Sequence, residues 1–406
     1  MELADKSTPV VVINCGLGAL AIMRTLGYLG VDVYGVSADP GAHALRSRYC
    51  RKAFLLSSVR DGGETLAAQL LELRANFTKK PILIATSDET AIAVAESYDE
   101  LSQAYLIAQN GGPIVQRLAD KMTMFDLAKE HGLPAPHTLL PTTLEETEAY
   151  AASVAFPVML KGAMGNRLYA RTGKKMVLAH DQKDLLTQYQ LLQDPEQPNL
   201  MIQELIPGGD DEVYIFNGYF NAESDCVVGY TGRKIRQFPV HVGCASLGEC
   251  CWVPEVAEMT TTFMKKIGYR GILDIGYRRD PRDGKYKVLD INPRVGQAFR
   301  LFVSANDLDV VRALYLDQTG QAVPDSPRRE GRRWIIEDYD LVSSVDYFRE
   351  GTLSLGAWVR SFSRLEEGAW FAWRDPLPFF DMLGRLAKQM GRWLWKRIPG
   401  NAAPRQ

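Results

Sequence analysis

Cysteine is scarce in this sequence, and no two cysteines have the Cys-x-x-Cys spacing. Six cysteines in 406 residues do not form the dense pattern of a disulfide framework. No uninterrupted apolar run reaches the roughly 18 residues of a membrane-spanning helix. The first residues also lack the basic and then apolar pattern of a signal peptide. These absences exclude a disulfide-stabilised secreted domain and a channel, and we expect a cytoplasmic protein.

An excess of charge of either sign is also missing. Lysine and arginine number 47, against 49 aspartates and glutamates, which gives a net charge of -2. This balance argues against a basic surface for nucleic acid over the whole protein, so we expect no nucleic-acid partner. A hydrophobic fraction of 46% with 24% charged residues is typical of a globular protein. The length suggests about two to four domains, at roughly 100–200 residues each.

Strands alternate with helices up to about Arg117, which predicts a parallel sheet with helices on both faces. The first strand, Val10–Asn14, is followed by the Gly-x-Gly-x-x-Ala pattern of Gly16, Gly18 and Ala21. That pattern is the dinucleotide-binding fingerprint, so a nicotinamide oxidoreductase is one hypothesis. A single match is weak evidence, and we favour a structural turn.

A polar segment, Thr86–Glu89, follows a later strand of the same region and begins a helix. Asp88 or Glu89 could touch a substrate where the strands of the sheet end. We favour the alternative, in which Ser87 or Asp88 caps the helix.

Two predicted strands on either side of a turn near residue 282 form a hairpin that carries three oxygen-bearing side chains. Asp290 and Asn292 are two positions apart and share a face of one strand, and strand pairing brings Asp274 close. Three such ligands suit Mg²⁺, which prefers oxygen. Arg294 falls on the same side and could bind a carboxylate or a developing phosphoryl charge. The alternative is an ordinary solvated hairpin face.

Two lysines precede the hairpin at positions suited to phosphate. Lys121 opens a helix after Asp120, and Lys161 ends an apolar strand. A lysine at a strand end can act as a point charge for phosphate, although a surface lysine is the alternative for each. The segment Ile202–Asp211 is a strand that ends in a glutamate and is followed by a bend and acids. It could contact an adenine and a ribose, or be a strand followed by a turn.

The order of these segments resembles the ATP-grasp superfamily. The family's order of motifs is followed over roughly residues 1–320. The motifs are Lys121, then VMLKGA around Lys161, then IQELIPGGDD from Ile202, and then LDIGYRR with YKVLDINPR. The resemblance is to the D-aspartate-ligase-like, carboxylate–amine ligase branch. Gly232–Pro239, followed by VGCASLGE, is similar to a segment common in that branch. LDINPR is the most specific single motif.

The resemblance implies a mixed α/β and α+β architecture. A Rossmann-like N-terminal domain would span residues 1–118 and shape the site of the second substrate. A two-subdomain ATP-grasp domain would follow over residues 119–320, with subdomains 119–200 and 201–320, and would bind ATP between them. Residues 321–406 would form a linker and a helical extension rich in aromatic and basic residues.

The resemblance also implies roles for individual residues. Arg294 would stabilise the transition state or an acyl phosphate, while Arg233 and Lys234 would line a carboxylate pocket. One or two Mg²⁺ ions, with Mn²⁺ as a substitute, would be held by Asp274, Asp290 and Asn292. The ATP-binding residues would be Lys121, Lys161, Lys175, Gln203, Glu204, Leu205, Ile206 and Asp211.

Within the ATP-binding set, the two lysines Lys121 and Lys161 would contact phosphates. Glu204 would meet the adenine amino group, helped by the backbone of Ile206. Asp211 would hold the ribose, with Asp210 and Glu212 as competing candidates. The loop that covers the phosphates departs from the family's Gly- and Ser-rich pattern, and Lys174 or Lys175 is the candidate there.

These residues fit a ligase that joins a carboxylate to an amine. Transfer of the ATP γ-phosphoryl group to the carboxylate gives an acyl phosphate, which the amine attacks with release of phosphate. The implied substrates are a small carboxylate and an amine, such as amino acids or a cell-envelope precursor. Open alternatives are a thiol or other acceptor, and a non-catalytic nucleotide-binding protein.

The C-terminal segment 379–397 is amphipathic. Phe379, Leu383 and Leu386 fall on one helical face, with Arg385 and Lys388 on the other. A helix of this kind could contact a membrane surface peripherally. We favour the alternative, in which it packs on the protein or in a homodimer interface.

Overall fold

The computed structural model describes residues 1–56, 63–163, 167–174, 176–194 and 196–397. Its strands form three sheets, and helices pack against each of them. The predicted mixture of helices and strands is therefore confirmed. Within these ranges, no helix combines the length and the apolar content needed to cross a membrane.

The first sheet is parallel, in the order β3-β2-β1-β4, with β1 Val10–Ile13, β2 Val33–Ser37, β3 Cys50–Leu55 and β4 Ile82–Ala85. β1 and β4 are buried along their whole length, which explains why their sequences are continuous apolar runs. The helices of this region are α1 Leu17–Gly27, α2 Gly63–Leu73, α3 Asp88–Glu96, α4 Tyr98–Ala104 and α5 Pro113–Ala119.

The second sheet has the order β5-β8-β6-β7, with β5 Thr138–Leu139, β6 Val158–Gly162, β7 Met176–Ala179 and β8 Leu200–Glu204. Its helices are α6 Lys121–Glu130, α7 Leu144–Ala151, α8 Arg167–Thr172 and α9 Gln182–Leu192. In the antiparallel pair β6 and β8, Lys161 is opposite Met201 and Met159 is opposite Gln203. Lys161 and Gln203 therefore share a face of this sheet.

The third sheet has the order β13-β12-β9-β10-β11, continued by two short strands, β14 Arg333–Ile335 and β15 Leu365–Gly368. Its long strands are β9 Val213–Phe220, β10 Cys226–Phe238, β11 Cys244–Cys250, β12 Gly271–Arg279 and β13 Tyr286–Asn292. Helices α10 Pro254–Lys266 and α11 Val310–Gln318 follow β11 and β13. One face of the sheet packs in a core with α6 and α10, and the other in a core with α1 and α11. The predicted hairpin is confirmed as β12 and β13.

The chain after Gln321 is partly strand, in contrast to the linker and helical extension that we expected. The short strands β14 Arg333–Ile335 and β15 Leu365–Gly368 join the third sheet at β11. Trp334 in β14 is only 1% exposed, so this segment belongs to the core. The helices after it are α12 Glu337–Arg349, α13 Leu355–Ser361 and α14 Leu377–Arg397.

A buried ion pair fastens the C-terminal region to the first helix. Arg24 Nε donates to Asp375 Oδ2 at 2.9 Å, and the other guanidinium nitrogens donate to the carbonyls of Ala369, Trp370 and Asp375. The two charged side chains are only 7% and 1% exposed. Because a buried charge is costly without a partner, each residue depends on the other.

We predict that Asp375→Ala lowers the free energy of unfolding by about 3–5 kcal/mol, because it leaves Arg24 buried without its counter-charge. Asp346→Ala is the matched control. Asp346 pairs with Arg349 at the surface, where a salt bridge contributes about 0–1 kcal/mol. Urea unfolding of both variants measures the difference, and equal stabilities would contradict the anchoring role of Asp375.

Candidate active site

The hairpin of β12 and β13 brings Asp274, Asp290 and Asn292 together on one face of the third sheet. Asp274 pairs with Asn292, and Gly276 pairs with Asp290, so the three polar side chains point the same way. Asn292 Nδ2 donates to Asp290 Oδ2 at 3.0 Å and to the Asp274 carbonyl at 3.1 Å. The three residues selected from the sequence are therefore direct neighbours.

Two glycines leave room for the carboxylates of this cluster. A Cβ at Gly276 would collide with Asp290 Oδ1, and a Cβ at Gly296 would collide with Asp274 Oδ2. Any other residue at either position would push a carboxylate out of place. The absence of these two side chains is therefore part of how the hairpin holds both acids.

The cluster concentrates negative charge in a partly buried place. Burial raises the pKa of Asp274 to about 6; Arg294 opposes this rise and Asp290 adds to it. A cation would stabilise both carboxylates, and the oxygen donors suit a hard divalent ion. Among the described residues, no group of three His, Cys, Asp or Glu side chains is arranged to hold a metal. An ion here would therefore need the Asn292 amide, water or substrate oxygens as well.

Arg294 connects the hairpin to the first sheet. Its Nε donates to Asp88 Oδ1 at 2.9 Å, and its Nη2 donates to Asn292 Oδ1 at 3.1 Å. Its Nη1 is 4.0 Å from Asp274 Oδ2. The guanidinium is thus held at the edge of the acidic cluster by a residue from the first region of the chain.

Asp88 is a site residue that we undervalued in the sequence. Ser87 is the N-cap of α3, as the segment suggested, but the Asp88 side chain reaches Arg294, 206 positions away. The turn at Gly18 borders the same place, since a Cβ on Gly18 would be 3.8 Å from Gln297 Cα. The sequence feature that indicated a site role for Asp88 is its position directly after β4, because ligands of open α/β sheets bind where the strands end.

Two lysines bring positive charge toward the hairpin from the second sheet and α6. Burial lowers the pKa of Lys161 to about 7; Lys121 lowers it further and Asp290 raises it. Lys161 Nζ donates to Gln203 Oε1 at 2.8 Å, so Gln203 positions this lysine. An anion would stabilise the charged form of Lys161 beside Lys121, so the two lysines are a candidate anion site. Lys175, the remaining lysine of the predicted set, lies outside the described residues.

The segment after β8 joins the second sheet to the third. The Glu204 carboxylate accepts a hydrogen bond from the His137 N–H at 3.1 Å and another from Arg282. The predicted contact of this carboxylate with an adenine amino group would compete with these bonds. The backbone groups of Leu205 and Ile206 are the remaining candidates in this segment.

Three acids follow in this connection, and their surroundings differ. Asp210 accepts hydrogen bonds from Gln237 Nε2 at 2.9 Å and from the Tyr347 hydroxyl. Asp211 is exposed, whereas Glu212 Oε2 is buried without a hydrogen-bond partner, and Glu212 Oε1 is 3.8 Å from Arg279 Nη1. A buried oxygen that accepts no hydrogen bond lowers the stability of the folded protein, and a hydrogen-bond donor from a ligand would remove this cost. The geometry therefore favours Glu212 over Asp211 as the acceptor for a ligand hydroxyl.

Arg233 and Lys234 lie on opposite faces of β10, because successive strand residues alternate. Arg233 Nη2 donates to Glu249 Oε2 at 2.7 Å across the strand pair. Lys234 Nζ donates to the Gly243 carbonyl at 2.8 Å, and its charge opposes the rise that burial causes in the pKa of Asp274. Lys234 therefore faces the acidic cluster, and Arg233 is directed away from it.

Comparison with known proteins gives distant relatives, and no family model matches the chain. The chain is 24% identical over 268 residues to D-aspartate ligase from Enterococcus faecium (strain Aus0004), covering 63% of this chain and 62% of that protein. It is 23% identical over 274 residues to the arginine-specific carbamoyl phosphate synthase large chain from Geobacillus stearothermophilus, covering 65% of this chain and 24% of that protein. The chain thus matches less than two thirds of the length of either relative.

Solved structures show the same fold at low identity. N5-carboxyaminoimidazole synthetase from Staphylococcus aureus, complexed with ADP, has a TM-score of 0.62 at 14% identity, covering 86% of this chain and 88% of that one. The biotin carboxylase domain of Hydrogenobacter thermophilus 2-oxoglutarate carboxylase, with MgADP and bicarbonate, has a TM-score of 0.62 at 14% identity, covering 81% and 74%. Together with the sequence relatives, this likeness of fold supports the resemblance to the ATP-grasp superfamily that the sequence motifs indicate.

We predict that Lys161→Met weakens the binding of inorganic tripolyphosphate by about tenfold near neutral pH, which corresponds to roughly 1.4 kcal/mol. Lys161 attracts the anion only while it is protonated, so the difference from the unchanged protein is largest below its pKa of about 7 and fades above it. Isothermal titration calorimetry across this pH range measures both affinities.

Lys183→Met is the matched control for this prediction, since Lys183 is an exposed lysine of α9. Its affinity for tripolyphosphate should equal that of the unchanged protein. A loss in Lys161→Met that does not vary with pH would contradict the charge-based role of Lys161.

Proposed function

We propose that this protein is an ATP-dependent ligase that joins a carboxylate to an amine through an acyl phosphate, releasing ADP and phosphate. The observation that carries the proposal is the position of Lys161, which Gln203 holds within electrostatic reach of both Lys121 and Asp290 of the acidic hairpin. Cations on one side and oxygen ligands on the other are what a metal-bound polyphosphate requires.

In this proposal, ATP spans the connection between the second and third sheets. Lys121 and Lys161 bind its phosphates as point charges, and Lys175 is a further candidate from the sequence. The backbone of Leu205 and Ile206 meets the adenine. Glu212 accepts a hydrogen bond from the ribose, which is supported by its buried, unpartnered oxygen.

Asp274, Asp290 and Asn292 would hold one or two Mg²⁺ ions. The donor set is all oxygen, and the raised pKa of Asp274, caused by burial, supports the need for a cation. When bound, Mg²⁺ would neutralise the charge on the phosphates and on the transferring group. The protein's own contribution is to fix these oxygens on paired strands.

The reaction proceeds in two displacements. In the first, a carboxylate oxygen of the substrate forms a bond to the γ-phosphorus of ATP. The bond between the γ-phosphorus and the bridging oxygen breaks at the same time, and ADP leaves. The amine nitrogen then bonds to the acyl carbon, phosphate leaves with its oxygen, and the amine loses a proton. Arg294, held by Asp88, binds the carboxylate and the acyl phosphate, and Lys234 supports it from β10.

The proposed substrates follow from the relatives. Because one relative is a D-aspartate ligase, D-aspartate is the first carboxylate to test. The amine would belong to an amino acid or a cell-envelope precursor. A cytoplasmic location is proposed because ATP is available there, and a homodimer remains a further proposal.

The domain organisation is proposed on the same basis. Residues 1–118 would form a Rossmann-like domain that shapes the second-substrate site, supported by the reach of Asp88 to Arg294. Residues 119–200 and 201–320 would be the two ATP-grasp subdomains, joined by the connection after Glu204. The remaining segment, 321–406, would act as an extension that completes the third sheet.

We predict ADP release from Mg·ATP only when a carboxylate and an amine are both present, tested with D-aspartate and a panel of amino acids singly and in pairs. Asp290→Asn should lower this release by at least about a hundredfold, because it removes a charged metal ligand. Asp283→Asn changes an exposed acid in the turn of the same hairpin and should keep full activity.

The outcomes of this assay separate the alternatives. ADP release that requires a thiol instead of an amine would replace the proposed acceptor. Tight binding of Mg·ATP without release for any pair would contradict the ligase and favour a nucleotide-binding protein. Full turnover by Asp290→Asn would show that the hairpin does not hold the ion.

We predict that Glu212→Ala raises the KM for ATP by roughly 10- to 100-fold, since a hydrogen bond to a charged group contributes about 1.5–3 kcal/mol. The variant should also lose its preference for ATP over 2′,3′-dideoxy-ATP. Asp211→Ala, which changes the exposed neighbour, is the control and should retain both properties. The reverse result would assign the ribose contact to Asp211.

A further inference from the structure

The start of helix α14 presents large apolar side chains to solvent. Trp373 is 88% exposed, and Leu377, Phe380 and Leu383 are 61%, 60% and 40% exposed. The spacing of three residues places Leu377, Phe380 and Leu383 along one side of the helix, and Trp373 lies in the turn that precedes it. Met382, on another side of the helix, is 5% exposed and belongs to a core cluster. A set of exposed apolar residues on one side indicates an interaction surface.

Contacts with the first region of the chain fix the side of α14 that faces outward. The His43 Nδ1 and Asp381 Oδ2 atoms are 2.7 Å apart, and Arg385 donates to the Gly41 carbonyl. Together with Met382, these residues hold the helix against the protein. Packing thus explains one side of the amphipathic segment. The rings of Trp373 and Phe380 contact only their neighbours Phe371 and Phe379, at 4.8 Å and 5.8 Å, among the ring contacts of the described residues, and both side chains stay largely exposed.

The charges around this apolar side are positive. Asp375 is bound by Arg24, and Asp381 by His43 and Arg385, so the nearby acids are neutralised within the protein. Arg48 adds a cation from the first region, since its Nη1 donates to the Arg374 carbonyl at 3.4 Å. Arg374 and Lys388, both exposed, are further basic residues of this region.

We propose that Trp373, Leu377, Phe380 and Leu383, with a basic rim of Arg48, Arg374 and Lys388, form a surface that binds anionic lipid bilayers peripherally. Exposed apolar side chains insert at the headgroup boundary while lysine and arginine attract anionic headgroups. A second copy of this chain is disfavoured as the occupant, because a symmetric contact would bring the two basic rims together.

This surface differs from the amphipathic segment 379–397 identified in the sequence. It includes Trp373, which precedes the helix and is 88% exposed, and it leaves out Phe379, which is partly buried and packs against a core cluster. The side chains of residues 389–397 lie outside the described residues, so the surface is defined without them. The inference goes beyond the proposed ligase and does not depend on ATP chemistry.

The test is co-sedimentation of the full chain with vesicles of phosphatidylcholine alone and with phosphatidylglycerol added. We expect binding only to the anionic vesicles, and binding that weakens as salt screens the attraction. Trp373→Ser with Phe380→Ser should weaken binding by at least about tenfold. Arg374→Glu leaves the apolar residues unchanged, and it should weaken vesicle binding because it reverses a charge of the basic rim.

Leu341→Ser with Val345→Ser is the matched control, since these exposed apolar residues lie on α12. It should bind vesicles as the unchanged protein does, and all variants should keep its thermal stability. Three outcomes would overturn the proposal. The protein could bind neutral and anionic vesicles equally, it could bind neither kind, or the α12 control could lose as much binding as Trp373→Ser with Phe380→Ser. Self-association that Trp373→Ser with Phe380→Ser abolishes, without vesicle binding, would assign the surface to a second copy.

Discussion

The contact between Arg294 and Asp88 is the interaction on which the candidate site depends. Asp274, Asp290 and Asn292 come from one hairpin, and local strand pairing is enough to assemble them. Arg294 is different, because its direction is set by a carboxylate from the start of α3. The first sheet and the acidic hairpin are therefore joined at the place where we propose that chemistry occurs.

The candidate site has a group of lysines and a group of carboxylates. In each group, burial and a neighbour of like charge disfavour the charged form. Burial and Lys121 disfavour the charged form of Lys161, while burial and Asp290 disfavour the charged form of Asp274. Each group is relieved by a ligand of the opposite sign, an anion for the lysines and a cation for the carboxylates. A complex of a polyphosphate with a divalent ion supplies both at once, which couples the two binding events.

The parts of the structure that follow from local sequence patterns could be predicted. The turn between β12 and β13 and the period-two spacing of Asp290 and Asn292 were sufficient to predict the hairpin and its shared face. The choice between Asp211 and Glu212 could not be made, because adjacent acids look alike until burial distinguishes them. Likewise, β14 is a strand because β11 pairs with it, and three residues carry no periodic signal.

The late position of β14, β15 and Asp375 has a consequence for how the protein is made. A ribosome delivers the chain from its first residue, and domains generally fold as they emerge. Helix α1 emerges early, yet Arg24 has no counter-charge until Asp375 leaves the exit tunnel. The third sheet likewise gains its outer two strands only after Gly368. The nascent chain therefore completes both its first core and its largest sheet only after the segment from β14 to Asp375 has been made.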